Sequence, residues 1–382
     1  MWTSSSVPGH LQPHGGPTGP GRTVEAGWSP SLTVATTGWA PGDYLLLLRS
    51  AQGFERYIPL TVRSPATRGT VVLLNGVTTW QAYNLWGCCD LYEGPGGFAG
   101  RSRAVSFDRP YANGYGAGQY TFRELPLVAE AERLRLKLSY LTDVDLQRDP
   151  HVLDGAAAVV SMGHDEYWSP EMRGVLTRAR DAGTNIAFFG ANAIFRRIRF
   201  ESTSLGPYRL EVNYKRASED PVSRRDPVHS TADWPVPPAA NPESSLLGEQ
   251  YGCLISPARQ ASAVVNPSSW LLKGTGVRAG LRLPGLLGPE VDGVQRGFPM
   301  PRGVQIVLGT RVSCQGTGPN VADSTYYVAA SGARVFDAGT MNWPCAMSAR
   351  CVGSAVTARV VKAMTDRLLT AYTAGRISSS GS

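Results

Sequence analysis

Three short, largely apolar runs, the unbroken Val71–Leu74 and then Ala156–Met162 and Asn185–Phe189, constrain this chain more than any other feature. A strand with one wet face alternates apolar and polar residues. A strand apolar on both faces must be covered on both, as in a parallel sheet between helices. Helix-length segments lie between the runs. Glu124–Leu138 carries Leu127, Val128, Ala131, Leu134 and Leu138 at helical spacing. Ser169-Pro170-Glu171 opens another helix with an N-cap, a first-turn proline and an acid beside the positive dipole end. Asp181-Ala182-Gly183 closes it. Tyr140-Leu141 reads as a further short strand, and Asp143 and Asp145 as turn or cap residues. Alternating strands and helices give βαβ units with right-handed crossovers, hence a doubly wound, flavodoxin-like parallel core. A final amphipathic helix runs from about Ala355 to Tyr372, with Val356, Val360, Met364 and Leu368 on one stripe.

The segment before Thr70 has a different pattern. Leu32, Val34 and Thr36 alternate with their neighbours, and Tyr44–Arg49 and Arg56–Val62 read as strands around an Ala51-Gln52-Gly53 turn. We expect two units: residues 1–64 as an incomplete, Ig-like antiparallel β-sandwich with a loop-like start, and residues 65–382 as an α/β catalytic domain. That domain carries β-rich insertions after Phe200, with a strand pair at Tyr326–Ala329 and Ala333–Phe336. The length of 382 residues suits two domains. No apolar run reaches the roughly 18 residues of a membrane span. Met1 is followed by neither a basic nor an apolar segment, so a chain starting there is cytoplasmic. The Gly- and Pro-rich opening instead reads as the interior of a longer, secreted protein with a truncated start.

The six cysteines form no CxxC pair, which weakens zinc-ribbon and thioredoxin readings. Disulfides are favoured over free thiols, pointing to an oxidising compartment. Cys345 and Cys351 can close a small ring, whereas the adjacent Cys88 and Cys89 are expected to find separate partners or stay as thiols. The net charge of +7 rests almost wholly on arginine. The densest cluster, Arg196, Arg197 and Arg199, is interrupted by Ile198, and no nucleic-acid signature accompanies it. The arginine excess therefore reads as background, with no nucleic-acid partner.

Ligands of an open parallel sheet bind outside the carboxyl ends of its strands. After the first run come Asn75-Gly76, Trp80, Tyr83, Trp86 and Tyr92. After the second comes Gly163-His164-Asp165-Glu166-Tyr167-Trp168, and after the third Gly190-Ala191-Asn192. No nucleophile elbow, Rossmann fingerprint or Walker loop is present. His164 and Glu166 share one tight loop, with the Tyr83 and Tyr92 phenols nearby. Phenolate and carboxylate oxygens suit a hard ion such as ferric iron, which would polarise a carbonyl and acidify bound water. His164 would then shuttle a proton, and the Asn192 amide would hold the substrate oxygen. Two alternatives stay open: a metal-free hydrolase using His164 and Asp165, and a secreted, non-catalytic binding protein whose aromatic side chains grip a ligand.

Trp80-Gln-Ala-Tyr-Asn-Leu-Trp-Gly87, Leu91-Tyr92, Ser106-Phe-Asp-Arg-Pro-Tyr111 and Gly163-His-Asp-Glu-Tyr-Trp-Ser169 together resemble the large (β) subunit of N,N-dimethylformamidase. The match extends from about residue 70 to the end, plus the strands before it. It looks most like relatives in which a sandwich precedes a glutamine-amidotransferase-like α/β domain. The resemblance implies a mononuclear Fe(III) centre held by Tyr83, Tyr92 and Glu166, with His164 and Asn192 catalytic. Tyr44 and Tyr111 are rivals for the second tyrosine, and Glu249 is a further candidate base. It also implies hydrolysis of a small amide and a small partner subunit, or a homo-oligomer in its place.

Overall fold

The computed structural model describes residues 2–12, 15–256 and 260–373. Met1 and residues 374–382, the two ends of the expected units, lie outside them. The first apolar run becomes Val71–Asn75 (β1), buried at every position. It pairs in parallel with Leu138–Thr142 (β2) on one side and Ala158–Ser161 (β3) on the other. Asn185–Phe188 (β4) pairs with β3, and Arg334–Asp337 (β5) pairs with β4, both in parallel. The parallel core thus reads β2-β1-β3-β4-β5. Beyond β5 the sheet turns antiparallel through Gly318–Val328, Gln305–Cys314, Ser262–Val264 and Arg282–Leu283, giving nine strands in all.

The run pattern has a direct packing cause. Val71, Leu73, Val160, Ala187 and Phe336 face one layer, which holds Leu125–Arg133 (α1) and Ala355–Thr373 (α2). Val72, Leu74, Leu141, Val159, Ile186 and Val335 face the other, which holds Leu146 and the helix Pro170–Asp181. Neither face of β1 meets water, so no polar residue alternates in over Val71–Leu74. The Ser169 hydroxyl accepts from the Met172 amide at 3.1 Å, capping the latter helix as its sequence requires. Asp145 likewise accepts from the Thr142 amide at 2.9 Å and caps the turn after β2.

Several expectations need correction. The helix expected over Glu124–Leu138 is α1 preceded by a π-turn, Tyr120–Glu124. It stops early because Arg135 takes a left-handed φ of 53° and Leu138 is drawn into pairing with Val71. The alternation at Leu32, Val34 and Thr36 forms no strand; Leu32 stays exposed, with no partner sheet to bury it. The expected sandwich is, among the described residues, one hairpin, Gly42–Arg49 with Glu55–Val62. Asn75 Nδ2 ties it to β1 by donating to Asp43 Oδ1 at 2.9 Å and Thr61 Oγ1 at 3.1 Å. Cys88 and Cys89 bond to each other, beside Cys253–Cys314 and the expected Cys345–Cys351. Among the described residues no helix is long and apolar enough to cross a membrane.

Candidate functional site at the carboxyl rim

The strand order reverses direction between β1 and β3, and the loops after these two strands meet there, where such sheets place their ligands. After β1 a short helix, Val77–Ala82, delivers Tyr83. The chain then loops out and returns when the Leu91 amide donates to the Ala82 carbonyl at 3.0 Å, which brings Tyr92 beside Tyr83. The two rings stack with centroids 4.8 Å apart. Buried Arg109 fastens this loop: its guanidinium donates to the carbonyls of Trp86 at 3.1 Å, Cys89 at 3.0 Å and Gln81 at 3.2 Å.

After β3, the Glu166 amide donates to Thr79 Oγ1 at 2.8 Å, locking the second loop onto the helix that carries Tyr83. After β4 the chain crosses so close that a Cβ on Gly190 would lie 2.1 Å from the Gly163 carbonyl oxygen. Asn192 follows at a left-handed φ of 57°, held by its amide donating to Asp292 Oδ1 at 2.8 Å.

Tyr83 donates its hydroxyl to Glu166 Oε2 at 2.6 Å, and Tyr92 donates to Glu166 Oε1 at 2.6 Å. The two phenol oxygens are 3.2 Å apart. His164 Nε2 lies 3.4 Å from Glu166 Oε2 and 3.2 Å from Glu290 Oε2. Neither contact is aligned as a hydrogen bond, so His164 Nε2 and Glu290 Oε2 are buried without a hydrogen-bond partner. Asn192 Nδ2 donates to Glu290 Oε1 at 3.3 Å, while its Oδ1 is likewise unpartnered. All five predicted residues therefore sit in one cluster.

Basic side chains surround it, with burial drawing the Lys215 pKa well below its usual value. Arg196 Nε lies 3.2 Å from Glu166 Oε1 and its guanidinium also reaches Asp233. Lys215 Nζ donates to the Tyr167 hydroxyl at 2.7 Å and stands 3.5 Å from the centre of the Tyr92 ring. Burial opposes ionisation of Glu166, but its His164 contact and the Arg196 charge outweigh it and hold the carboxyl well below its usual range. Burial likewise opposes the imidazolium of His164, yet Glu290 and Glu166 push its pKa up to about 9. Burial, then the Glu166 charge, raises both phenols, which leaves them as neutral donors to that carboxylate.

The other candidates lie elsewhere. Asp165 turns away and accepts from Ser161 Oγ at 2.9 Å and Trp168 Nε1 at 2.7 Å. Tyr44 donates to the Ala40 carbonyl at 2.9 Å on the hairpin. Tyr111 packs edge-on against Trp80, 6.0 Å between centroids. Glu249 sits among other buried carboxylates, chiefly Asp337, Asp292 and Asp323. Sequence reasoning missed Glu290, which arrives on the antiparallel pair Gln250–Leu254 and Glu290–Gly293, where the strand-end rule does not point. It also dismissed Arg196 and left Lys215 unread; the position of Arg196, four residues past Asn192, was the available signal.

Among the described residues no group of three or more His, Cys, Asp or Glu side chains is arranged to hold a metal. The convergent oxygens here belong to two tyrosines and one glutamate. The fold and site define an α/β protein with a buried phenol–carboxylate cluster at the carboxyl rim of its parallel strands. No match is found among curated proteins. A family model, N,N-dimethylformamidase beta subunit-like, C-terminal, matches residues 1–355, and the chain belongs to that family.

Proposed function

We propose that this protein hydrolyses the C–N bond of a small-molecule amide at a ferric centre held by Tyr83, Tyr92 and Glu166, on a flavodoxin-like core. The observation that carries the reading is the convergence of two phenol oxygens 3.2 Å apart, each 2.6 Å from a different oxygen of one buried carboxylate. Such an all-oxygen set fits a hard cation, and the unpartnered buried His164 Nε2 beside it fits a site with a further occupant. Bound there, ferric iron would supply Lewis acidity toward a carbonyl and a water acidified toward neutrality.

The protein's own groups divide the remaining work. His164 Nε2, between two carboxylates, carries the proton that a departing amine needs. Glu290 Oε2 faces that nitrogen and sets its charge. The Asn192 side chain, fixed by Glu290 and by backbone held on Asp292, presents a polar group to the substrate. Arg196 places positive charge beside Glu166, which favours its anionic form.

The test measures iron content, the visible tyrosinate-to-iron absorption and amine release from formamides. About one iron per chain, a coloured solution and amine release are expected. Colourless, iron-free protein that still cleaves an amide would overturn the metal assignment; colourless and inert protein would favour a binding function.

A further inference from the structure

The amide-hydrolase reading leaves the substrate open, and a second cavity bears on it. A cleft of about 1000 Å³ runs between the hairpin, the segment Glu25–Trp28 and the segment Phe107–Ala112. Trp28, Tyr57, Trp86, Pro110 and Tyr111 wall it, and the Trp28 and Trp86 rings meet edge-on at 5.4 Å between centroids. Large apolar side chains stand exposed on its rim, with Ile58 at 44% and Leu205 at 69%. Its arginines are engaged: Arg209 pairs with Asp108, and Arg56 lies 5.5 Å from the centre of the Tyr115 ring. Size, aromatic walls and engaged arginines together describe a pocket for an aromatic or bulky apolar group, with the exposed Glu25 carboxylate also on its lining.

A second, small cavity lies between the cleft and Tyr83. Of about 10 Å³, it shares Pro59, Tyr111 and Gly116 with the cleft and touches Tyr83. The Tyr83 hydroxyl is 2.6 Å from Glu166. That cavity has room for about one water, so a substrate arm lying against Tyr83 there has to be slender.

We propose that the substrate is an elongated amide with an aromatic or bulky apolar end. That end lies in the cleft against Trp28 and Tyr57, and a linear arm carries the amide past Tyr111 to Tyr83. This rests on the amide-hydrolase reading and adds the substrate class. A dimethyl amide would leave the cleft unfilled.

The experiment compares N-(3-phenylpropyl)formamide with N,N-dimethylformamide by amine release. Binding of the first is also followed by tryptophan fluorescence on the full chain, without reference to turnover. A KM at least ~10-fold lower for the arylalkyl amide is expected. Trp28→Ala should raise that KM about 10-fold. Leu205→Asp, at an exposed position, puts a charge on the rim and should act the same way with no burden on folding. Equal KM values, or variants that leave the arylalkyl KM unmoved, would overturn the cleft assignment while the hydrolase reading stands. If neither amide is cleaved, the hydrolase reading fails and the titration still decides the cleft. Saturable quenching that is lost in Trp28→Ala upholds the aromatic pocket. No quenching, as when another segment or a second copy fills the cleft, overturns it.

Discussion

Replacing Glu166 by alanine removes the acceptor on which the cluster is built. Glu166 is fully buried and receives two phenol hydroxyls at 2.6 Å, with Arg196 Nε at 3.2 Å. After truncation Tyr83 and Tyr92, 3.2 Å apart, can bond to each other, so one hydroxyl is left without an acceptor. Leaving one buried donor unsatisfied costs ~1–3 kcal/mol. Arg196 keeps Asp233, which limits the loss from its broken contact to ~1 kcal/mol. Relief of the buried Glu166 charge offsets part of this, so a net loss of ~2–3 kcal/mol is expected in the metal-free protein. The unfolding entropy of a 382-residue chain is about 0.8 kcal/mol/K, which makes the shift in Tm only ~3–4 °C. The variant should fold, which makes its iron content interpretable. The assay is metal analysis and visible absorption after refolding in ferric salt, alongside calorimetry of the metal-free forms. Iron should fall from about one per chain to background. Glu166→Gln keeps an acceptor oxygen and should recover most of the Tm, yet bind no iron, because its amide carries no charge. Full iron occupancy in either variant would refute the ligand assignment; an unchanged Tm in Glu166→Ala would refute the hydrogen-bond account.

Other consequences can be checked independently. His164→Gln should lower amide turnover by ~10²–10⁴-fold while iron content stays near one per chain, because the nitrogen moves a proton and holds no metal in this scheme; metal loss in that variant would contradict the role. Gly190→Ala puts a methyl carbon 2.1 Å from the Gly163 carbonyl oxygen, and should cost roughly 2–3 kcal/mol by denaturant unfolding, since backbone meets backbone and neither loop can yield freely. Burial pushes Glu243 up from 4.5 to about 8, so the native state holds a proton that the unfolded chain has released between those values. Its contribution to stability is therefore complete below pH 4.5 and is lost as pH rises toward 8. Glu243→Gln should flatten that part of the stability-against-pH curve, and an unaltered slope would count against the assignment.

The parallel core was legible because its cause is local. Runs such as Val71–Leu74 contain no polar residue for either face, and only double coverage by helices accommodates that. The Ser169-Pro170-Glu171 start was legible for the same reason, since an N-cap acts within one turn. The hairpin was read correctly from Tyr44 to Val62, but the alternation at Leu32 to Thr36 was over-read. Alternation says a segment is able to lie on a sheet; a partner strand decides whether it does. Cys88 and Cys89 show the same limit, because spacing says little about which sulfurs meet.

By itself, then, the sequence determined the layered α/β core and the rim to which Tyr83, His164, Glu166 and Asn192 belong, because strand polarity and burial are written into residues a few positions apart. Only the tertiary structure decided which donors face each other. It turned Asp165 toward Ser161 and Trp168, set Glu249 among other carboxylates, and brought in Glu290, Arg196 and Lys215. Glu290 meets His164 across 126 positions of chain, through an antiparallel pair beside the parallel core. Contacts of that span depend on how whole elements pack, and no local periodicity records them.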